Sequence, residues 1–171
     1  DAVSADDGIG PDPLPVLEQQ FAVGIHFDAT VAELLTKNEE LNALTLKVAD
    51  AQALIVPRLL VHASQAARVS YLGINLLGDK VWQLGHQQAT GERDSTTLLA
   101  TVALGGDYAR VRTDARLVGQ GGTTKQVALY YADGNQMHDF RTLQDHVAPR
   151  TSSDLLFKGA VQDTAKSVYT G

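Results

Sequence analysis

The sequence predicts an all-β domain, in which a β-solenoid competes with a sandwich or a barrel. Beyond Ala66, short extended runs recur about every ten to fifteen residues, and glycine, aspartate or asparagine occupies the corners between them. In the run from Tyr108 to Leu117, small and β-branched residues alternate with charged ones. This alternation predicts one buried and one wet face, which suits coils stacked about 4.8 Å apart.

The first part of the chain differs from the rest. Residues 1–15 hold four aspartates and three prolines, which predicts a flexible, acidic lead-in. Further on, Thr30 and Glu33 form a capping box beside Val31, Leu34 and Leu35, and this pattern predicts a short helix near the N-terminus.

Extended segments follow this region. Pro57 lies in the middle of the apolar segment Ala53–Ala63 and disfavours a helix, so we expect a strand, a bend and a second strand. Eight later runs predict strands: ARVSYLGINLL, KVWQLGHQQ, TTLLATVAL, DYARVRTDARLV, TTKQVALYYA, QMHDFRTL, DLLFKGAV and KSVYTG. The ADGN segment at 132–135 has the signature of a tight hairpin, which leaves the order and direction of the strands open.

Composition excludes several functions. A chain of 171 residues suffices for one domain, and a net charge of -6 opposes binding to nucleic acid. The apolar stretches are too short to cross a membrane. Because the chain has no cysteine, it cannot build a thiolate-bound iron–sulfur site alone. The N-terminal residues lack a secretory pattern, so we expect a cytoplasmic protein, and the start at Asp1 suggests a piece of a longer one.

Candidate chemistry concentrates between His138 and Ser153. His138, Asp139, Asp145 and His146 could ligate a divalent metal, although their spacing matches no zinc motif and turn chemistry is the favoured reading. The pair Ser152 and Ser153, with His146 and Asp145, has the residue types of a hydrolase triad but no G-x-S-x-G elbow.

Two further groups have less specific readings. Arg110, Arg112 and Arg116 form a basic stripe, which either steers an anionic partner or pairs with the chain's own acids on a solvated face. The aromatic residues Trp82, Tyr130 and Tyr131 are interpreted as anchors of the core or of an interface rather than as a ligand-stacking platform.

The segment from Gln136 to Gly171 resembles the signature of the SufB/SufD family of iron–sulfur cluster assembly proteins. The matching positions are His138, Thr142, His146, Ala148, Pro149, Thr151, Ser153, Lys158, Gly159, Ser167, Val168, Tyr169 and Gly171. The upstream segments Val56–Ala63 and Val102–Gly134 look like the SufD side of the family.

This resemblance implies a right-handed parallel β-helix forming one core domain over residues 16–171, incomplete at its C-terminal end. It also implies a non-catalytic scaffold that works with SufB-like and SufC-like subunits. The iron–sulfur cluster then belongs to the complex, with no cofactor bound by this chain alone, and the signature positions are structural. The family's SufC-docking helices and interface histidine correspond to no position here.

Two further expectations concern self-association and an alternative function. Open solenoid ends expose unpaired strand edges, so we expect self-association. The alternative function is a β-solenoid that binds carbohydrate or acts on polysaccharide. That alternative requires a row of aromatic or carboxylate side chains on one exposed face, and the sequence shows little of either.

Overall fold

The computed structural model describes residues 28–36, 39–48 and 52–171, and the part it describes consists of strands and turns without a helix. No helix in this part could therefore span a membrane. The predicted lead-in over residues 1–15 and the predicted start of the core at residue 16 lie outside the described residues. The strands are β1 (Asp28–Thr36), β2 (Glu39–Val48), β3 (Ala53–Ala63), β4 (Arg68–Leu77), β5 (Val81–Gly91), β6 (Thr96–Gly105), β7 (Tyr108–Leu117), β8 (Thr123–Ala132), β9 (Met137–His146), β10 (Ser152–Val161) and β11 (Lys166–Thr170).

The strands form two parallel sheets, which alternate along the chain. The six odd-numbered strands make one sheet and the five even-numbered strands make the other, each in sequence order. Every strand therefore pairs with the strand two places away, and each coil contributes one strand to each sheet. Thr97 bonds to Thr124, 27 residues later, and Thr123 bonds to Ser152, 29 residues later. This is a parallel β-solenoid, as predicted, rather than a sandwich or a barrel.

The turn at 132–135 does not form a hairpin. It joins β8 to β9, which belong to different sheets, and the amide of Gln136 closes it by donating to the Asp133 carbonyl at 3.0 Å. Gly134 has a φ of 54°, so the Asp-Gly pair supplies the left-handed residue that this corner needs. The local turn signal was therefore real, but it did not fix the direction of the strands.

The helix predicted from Thr30 is wrong. Residues 28–36 and 39–48 are the strands β1 and β2. The strand β1 pairs in register with β3 along its whole length, and β2 pairs with β4 in the same way. A helical propensity is a weak local preference, and two complete ladders of backbone hydrogen bonds override it.

Pro57 interrupts one ladder without bending the chain into two strands. The segment Ala53–Ala63 is the single strand β3, so the expected bend is absent. Its pairing with β5 stops after Ile55 and resumes at Arg58 in the same register. Proline has no amide hydrogen to donate, and this explains a gap in pairing that leaves the alignment unchanged.

The interior mixes small apolar residues with hydrogen-bonded polar ones. On β7 the predicted inward set is buried throughout: Ala109, Val111, Thr113, Ala115 and Leu117. Polar side chains also meet inside, as where Asn75 donates to Gln83 at 3.1 Å. Buried polar groups are retained where they find such partners. The coils are therefore joined both by apolar packing and by hydrogen bonds between side chains.

One type of corner repeats on four successive coils. Ala66, Asp94, Gly121 and Arg150 each follow an odd-numbered strand and have φ values of 59°, 56°, 77° and 57°. The amide of Ala66 donates to the Arg93 carbonyl at 2.8 Å, and that of Asp94 donates to the Gln120 carbonyl at 2.9 Å. The corners thus stack on one another, and each needs a left-handed residue at the same place.

Replacing Ala66 by glycine should stabilise the protein. Ala66 is exposed, and an alanine is strained at positive φ whereas glycine is not. We expect the free energy of unfolding to rise by about 0.5–1 kcal/mol, measured by denaturant titration. The neighbouring Ala67→Gly is the control: Ala67 is fully buried, so that change should destabilise. Equal effects at both positions would contradict the assignment of backbone strain to Ala66.

Candidate functional site

His138 lies inside the solenoid. Its side chain is 0% exposed, and Nε2 donates to the Gly105 carbonyl at 2.9 Å. The other nitrogen, Nδ1, finds no partner among the described residues, and the ring packs edge-on against Tyr130 and Phe140. Burial lowers the pKa of His138, and the bond to Gly105 opposes this only in part. The side chain is therefore a neutral core histidine that ties one coil to the previous one.

Asp139 is on the opposite face of β9 but is also covered. It is 1% exposed because Arg110, Arg141 and Tyr108 close over it. The Arg110 Nη2 lies 2.7 Å from its carboxylate, and the Tyr108 hydroxyl donates to it at 3.1 Å. Burial alone would raise the pKa of Asp139, but the hydrogen bonds from these three residues outweigh it and hold the pKa below its usual range.

His146 organises the corner between β9 and β10. Its Nδ1 lies 2.7 Å from the Thr151 hydroxyl, and its Nε2 lies 3.0 Å from the Ser153 hydroxyl. Thr151 in turn donates to the Ala148 carbonyl at 3.1 Å, and Ser153 donates to Gln144 at 3.1 Å. Three signature positions therefore meet in one hydrogen-bond network that closes the corner.

The predicted triad residues are only partly brought together. Ser153 and His146 are in contact, but Asp145 accepts from Arg116 at 3.0 Å instead of orienting the histidine. Ser152 is on the other face of β10, where its hydroxyl bonds to Thr123 at 3.1 Å. A serine–histidine pair without an orienting carboxylate is an incomplete form of the hydrolase arrangement.

The four metal candidates do not converge. His138 is inside the coil, Asp139 is under two arginines, Asp145 pairs with Arg116, and His146 bonds to two hydroxyls. Within residues 28–36, 39–48 and 52–171, no group of three or more histidine, aspartate or glutamate side chains could hold a metal ion.

Gly159 is constrained by an aromatic ring on the neighbouring coil. A Cβ at this position would overlap the Tyr130 ring, which stacks on Phe140 with 4.7 Å between the ring centroids. The Tyr130 hydroxyl accepts from Ser167 at 2.9 Å. The glycine of the Lys-Gly pair thus leaves room for the tyrosine that links three coils, whereas the Lys158 side chain is exposed.

Three further signature positions, Thr142, Tyr169 and Gly171, meet at the end of the described chain. The Thr142 hydroxyl lies 2.9 Å from that of Tyr169, and a Cβ at Gly171 would lie 2.6 Å from the same hydroxyl. Pro149 is exposed at the corner that His146 closes. Several signature positions therefore contact a neighbouring coil, and others close one corner.

The basic stripe pairs with the chain's own acids. Arg110 bonds to Asp139, as described above, Arg112 lies 2.9 Å from Asp114, and Arg116 lies 3.0 Å from Asp145. Trp82 is exposed and donates to Asp107 at 2.7 Å.

Sequence reasoning missed an acidic cleft along one set of corners. A cleft of about 460 Å³ is lined mainly by aspartates from successive coils, namely Asp79, Asp107, Asp133 and Asp163. Two of them already accept hydrogen bonds, Asp107 from Trp82 and Asp79 from Gln136. The available signal was the recurrence of an aspartate every 26 to 30 residues, in the corners that follow β4, β6, β8 and β10.

A known protein family matches most of the chain. The model of the "SUF system FeS cluster assembly, SufBD core domain" matches residues 28–171, which include every described strand. The chain belongs to the SufBD family. The resemblance found in the signature is thereby confirmed for the family, while the closer likeness to SufD stays a prediction.

Relatives with this family name come from mycobacteria. An iron–sulfur cluster assembly SufBD family protein of Mycobacterium tuberculosis is 36% identical over 104 residues, which are 60% of this chain and 26% of that protein. One of Mycobacterium leprae is 36% identical over 97 residues, 57% of this chain and 25% of that protein. The matched part therefore spans about a quarter of these relatives. No solved structure gives a significant match.

Gly159→Ala should destabilise this SufBD solenoid by about 1–3 kcal/mol, since the new methyl group displaces Tyr130 from its place over the strand. Denaturant unfolding measures the cost. The matched control is the same substitution in a Tyr130→Ala background, where the clash is gone and the added cost should nearly vanish. If the cost is the same in both backgrounds, the ring is not what excludes a side chain.

Stability should fall in mild acid because of His138. Its folded-state pKa lies below the usual histidine value of 6.5, so the unfolded chain binds the proton first as pH drops through that value. The free energy of unfolding therefore decreases below pH 6.5 until the folded state also protonates. His138→Gln keeps a donor for the Gly105 carbonyl but does not titrate. Denaturant unfolding at a series of pH values should show that the free energy of unfolding falls less in acid for this variant than for the unchanged protein. If it falls equally with pH in both proteins, His138 is not the cause of the acid sensitivity.

Proposed function

We propose that this chain is a core piece of a non-catalytic, SufD-like scaffold subunit of the SUF iron–sulfur cluster assembly system. The observation that carries the proposal is the match to the SufBD core domain over residues 28–171. The contacts made by the signature residues support it, because some of them close a corner and others fix the stacking of neighbouring coils.

The cluster is the cargo of the assembled complex rather than a resident cofactor of this chain. The sequence contains no cysteine, so thiolate ligands for iron come from a partner. The histidines with metal-ligating potential in the signature are engaged by a backbone carbonyl or by hydroxyl groups. These features favour a scaffold role for this chain, beside a cluster site whose ligands come from other subunits.

A scaffold role also agrees with the chemistry of the Ser153–His146 pair. The Ser153 hydroxyl donates to Gln144, and the carboxylate next in sequence, Asp145, is held by Arg116. Neither feature activates a nucleophile. The alternative, a carbohydrate-acting solenoid, would use the acidic cleft. Among the described residues, the aromatic rings next to its aspartates are the exposed Trp82, which donates to Asp107, and the half-buried Tyr108 that Trp82 contacts, which is less than the row of exposed rings that this function requires.

The proposed partners are a SufB-like and a SufC-like subunit, in the cytoplasm. The strands β10 and β11 are the last in their sheets, so each has one backbone edge without a neighbouring strand in the described fold. Such edges favour pairing with further strands, either of a longer chain, of a partner or of another copy.

Co-purification tests the function. The chain, tagged, is co-expressed with SufB-like and SufC-like subunits from the same source, beside a version extended beyond Gly171 and a tag-only control. We expect at least the extended version to retain the SufB-like subunit, because added coils complete the edge at β10 and β11. Retention by the short chain as well would place part of the interface on the described coils. Failure of both versions to retain either subunit would overturn the proposal.

A further inference from the structure

Four hydrogen bonds pass through His146 in the corner between β9 and β10. On one side, Nδ1 lies 2.7 Å from the Thr151 hydroxyl, which itself donates to the Ala148 carbonyl at 3.1 Å. On the other side, Nε2 lies 3.0 Å from the Ser153 hydroxyl, which itself donates to the Gln144 Oε1 at 3.1 Å. We call these four bonds the corner network.

The number of protons in the corner network fixes the charge of the ring. A hydroxyl group has one proton to donate, and the protons of Thr151 and Ser153 are already given to Ala148 and Gln144. Towards His146, both hydroxyl oxygens can therefore only accept. Both ring nitrogens must then carry a proton, and a histidine with two N–H groups is the charged imidazolium ion. The complete network thus requires a charged His146.

The charge is held by hydroxyl groups and not by an acid. The charged residues on the strands and in the corner next to His146 are Arg116 on β7, Lys125 on β8, Asp145 on β9, Arg150 in the corner and Asp154 on β10. Arg116 pairs with Asp145 at 3.0 Å, Lys125 pairs with Asp154 at 3.1 Å, and Arg150 is exposed. Within the described part of the chain, none of the five forms an ion pair with His146.

Loss of one ring proton requires a defined rearrangement. A neutral histidine has one donor and one acceptor nitrogen, and Nδ1 stays the donor because the Thr151 hydroxyl can still only accept from it. Nε2 must then accept the proton of Ser153, which abandons the Gln144 Oε1. The other end of that amide, Nε2 of Gln144, is buried and has no partner among the described residues. Half a turn of the amide lets this nitrogen donate to the Ser153 oxygen.

From this we propose that the corner is a proton-sensitive switch with two hydrogen-bond arrangements. With His146 charged, donation runs from the ring through Ser153 to Gln144. With His146 neutral, it runs from Gln144 through Ser153 to the ring. The corner stays closed in both states, and because the ring is exposed it exchanges protons directly with water. Histidine changes charge between about pH 5 and 8, so the switch works in that range. It does not depend on the proposed scaffold role.

NMR of the isotope-labelled 171-residue chain between about pH 5 and 8.5 tests the switch. We expect both His146 nitrogens to be protonated at the acid end of the range. The side-chain amide signals of Gln144 should shift with the same midpoint as the His146 ring, because the amide turns when the proton leaves. The control is Gln83, which is 2% exposed and bonds to Asn75, and its amide signals should not follow that midpoint.

The substitution Gln144→Met tests the direction of the coupling. Without the amide, the Ser153 hydroxyl is free to donate to the ring at every pH, which favours the neutral form of His146. We expect the pH at which His146 is half protonated to fall by about half to one unit, the equivalent of one hydrogen bond. His62, whose Nε2 lies 2.9 Å from Glu92, should titrate identically in both proteins.

Two results would overturn the proposal. One is a Gln144 amide whose signals do not follow the His146 ring in the unchanged protein. The other is a His146 ring that is half protonated at the same pH in the unchanged protein and in Gln144→Met. The first readout needs no substitution, so it decides the matter even if the variant does not fold.

Discussion

The structure depends on one constraint: the strand residues of one coil lie beside their counterparts on the next coil, 26 to 29 positions later in the chain. Backbone hydrogen bonds join the coils in both sheets, and the corners stack in the same register. A coil can therefore accept only side chains that fit directly against those above and below. This requirement explains left-handed residues at equivalent corners and a glycine where Tyr130 crosses β10.

The constraint also explains an interior that mixes polar and apolar residues. Stacked positions bring like side chains together, so Thr97 and Thr124 satisfy each other's hydroxyl groups across a coil boundary at 2.9 Å. Because buried polar groups are satisfied in this way, the core does not need to be wholly apolar. The apolar residues of the even-numbered strands are then divided between the interior and the outer face of that sheet.

The family signature acquires a physical meaning in this setting. His146, Thr151 and Ser153 close a corner, while Gly159 and Ser167 accommodate and anchor the ring of Tyr130. The first group makes contacts within one corner, and the second makes contacts between coils. Both kinds of contact help to fix the geometry of the stacked coils.

The sequence by itself determined where most strands and corners lie, which side chains of β7 face inward, and which family the chain belongs to. Period-two alternation, turn residues and a signature are local properties, and they survive in any arrangement of the strands. Only the tertiary structure decided that strands pair two places apart, that Thr30 lies in a strand, and that Asp139 is covered by Arg110 from a neighbouring coil. Those outcomes depend on register between residues nearly thirty positions apart, which no local pattern specifies.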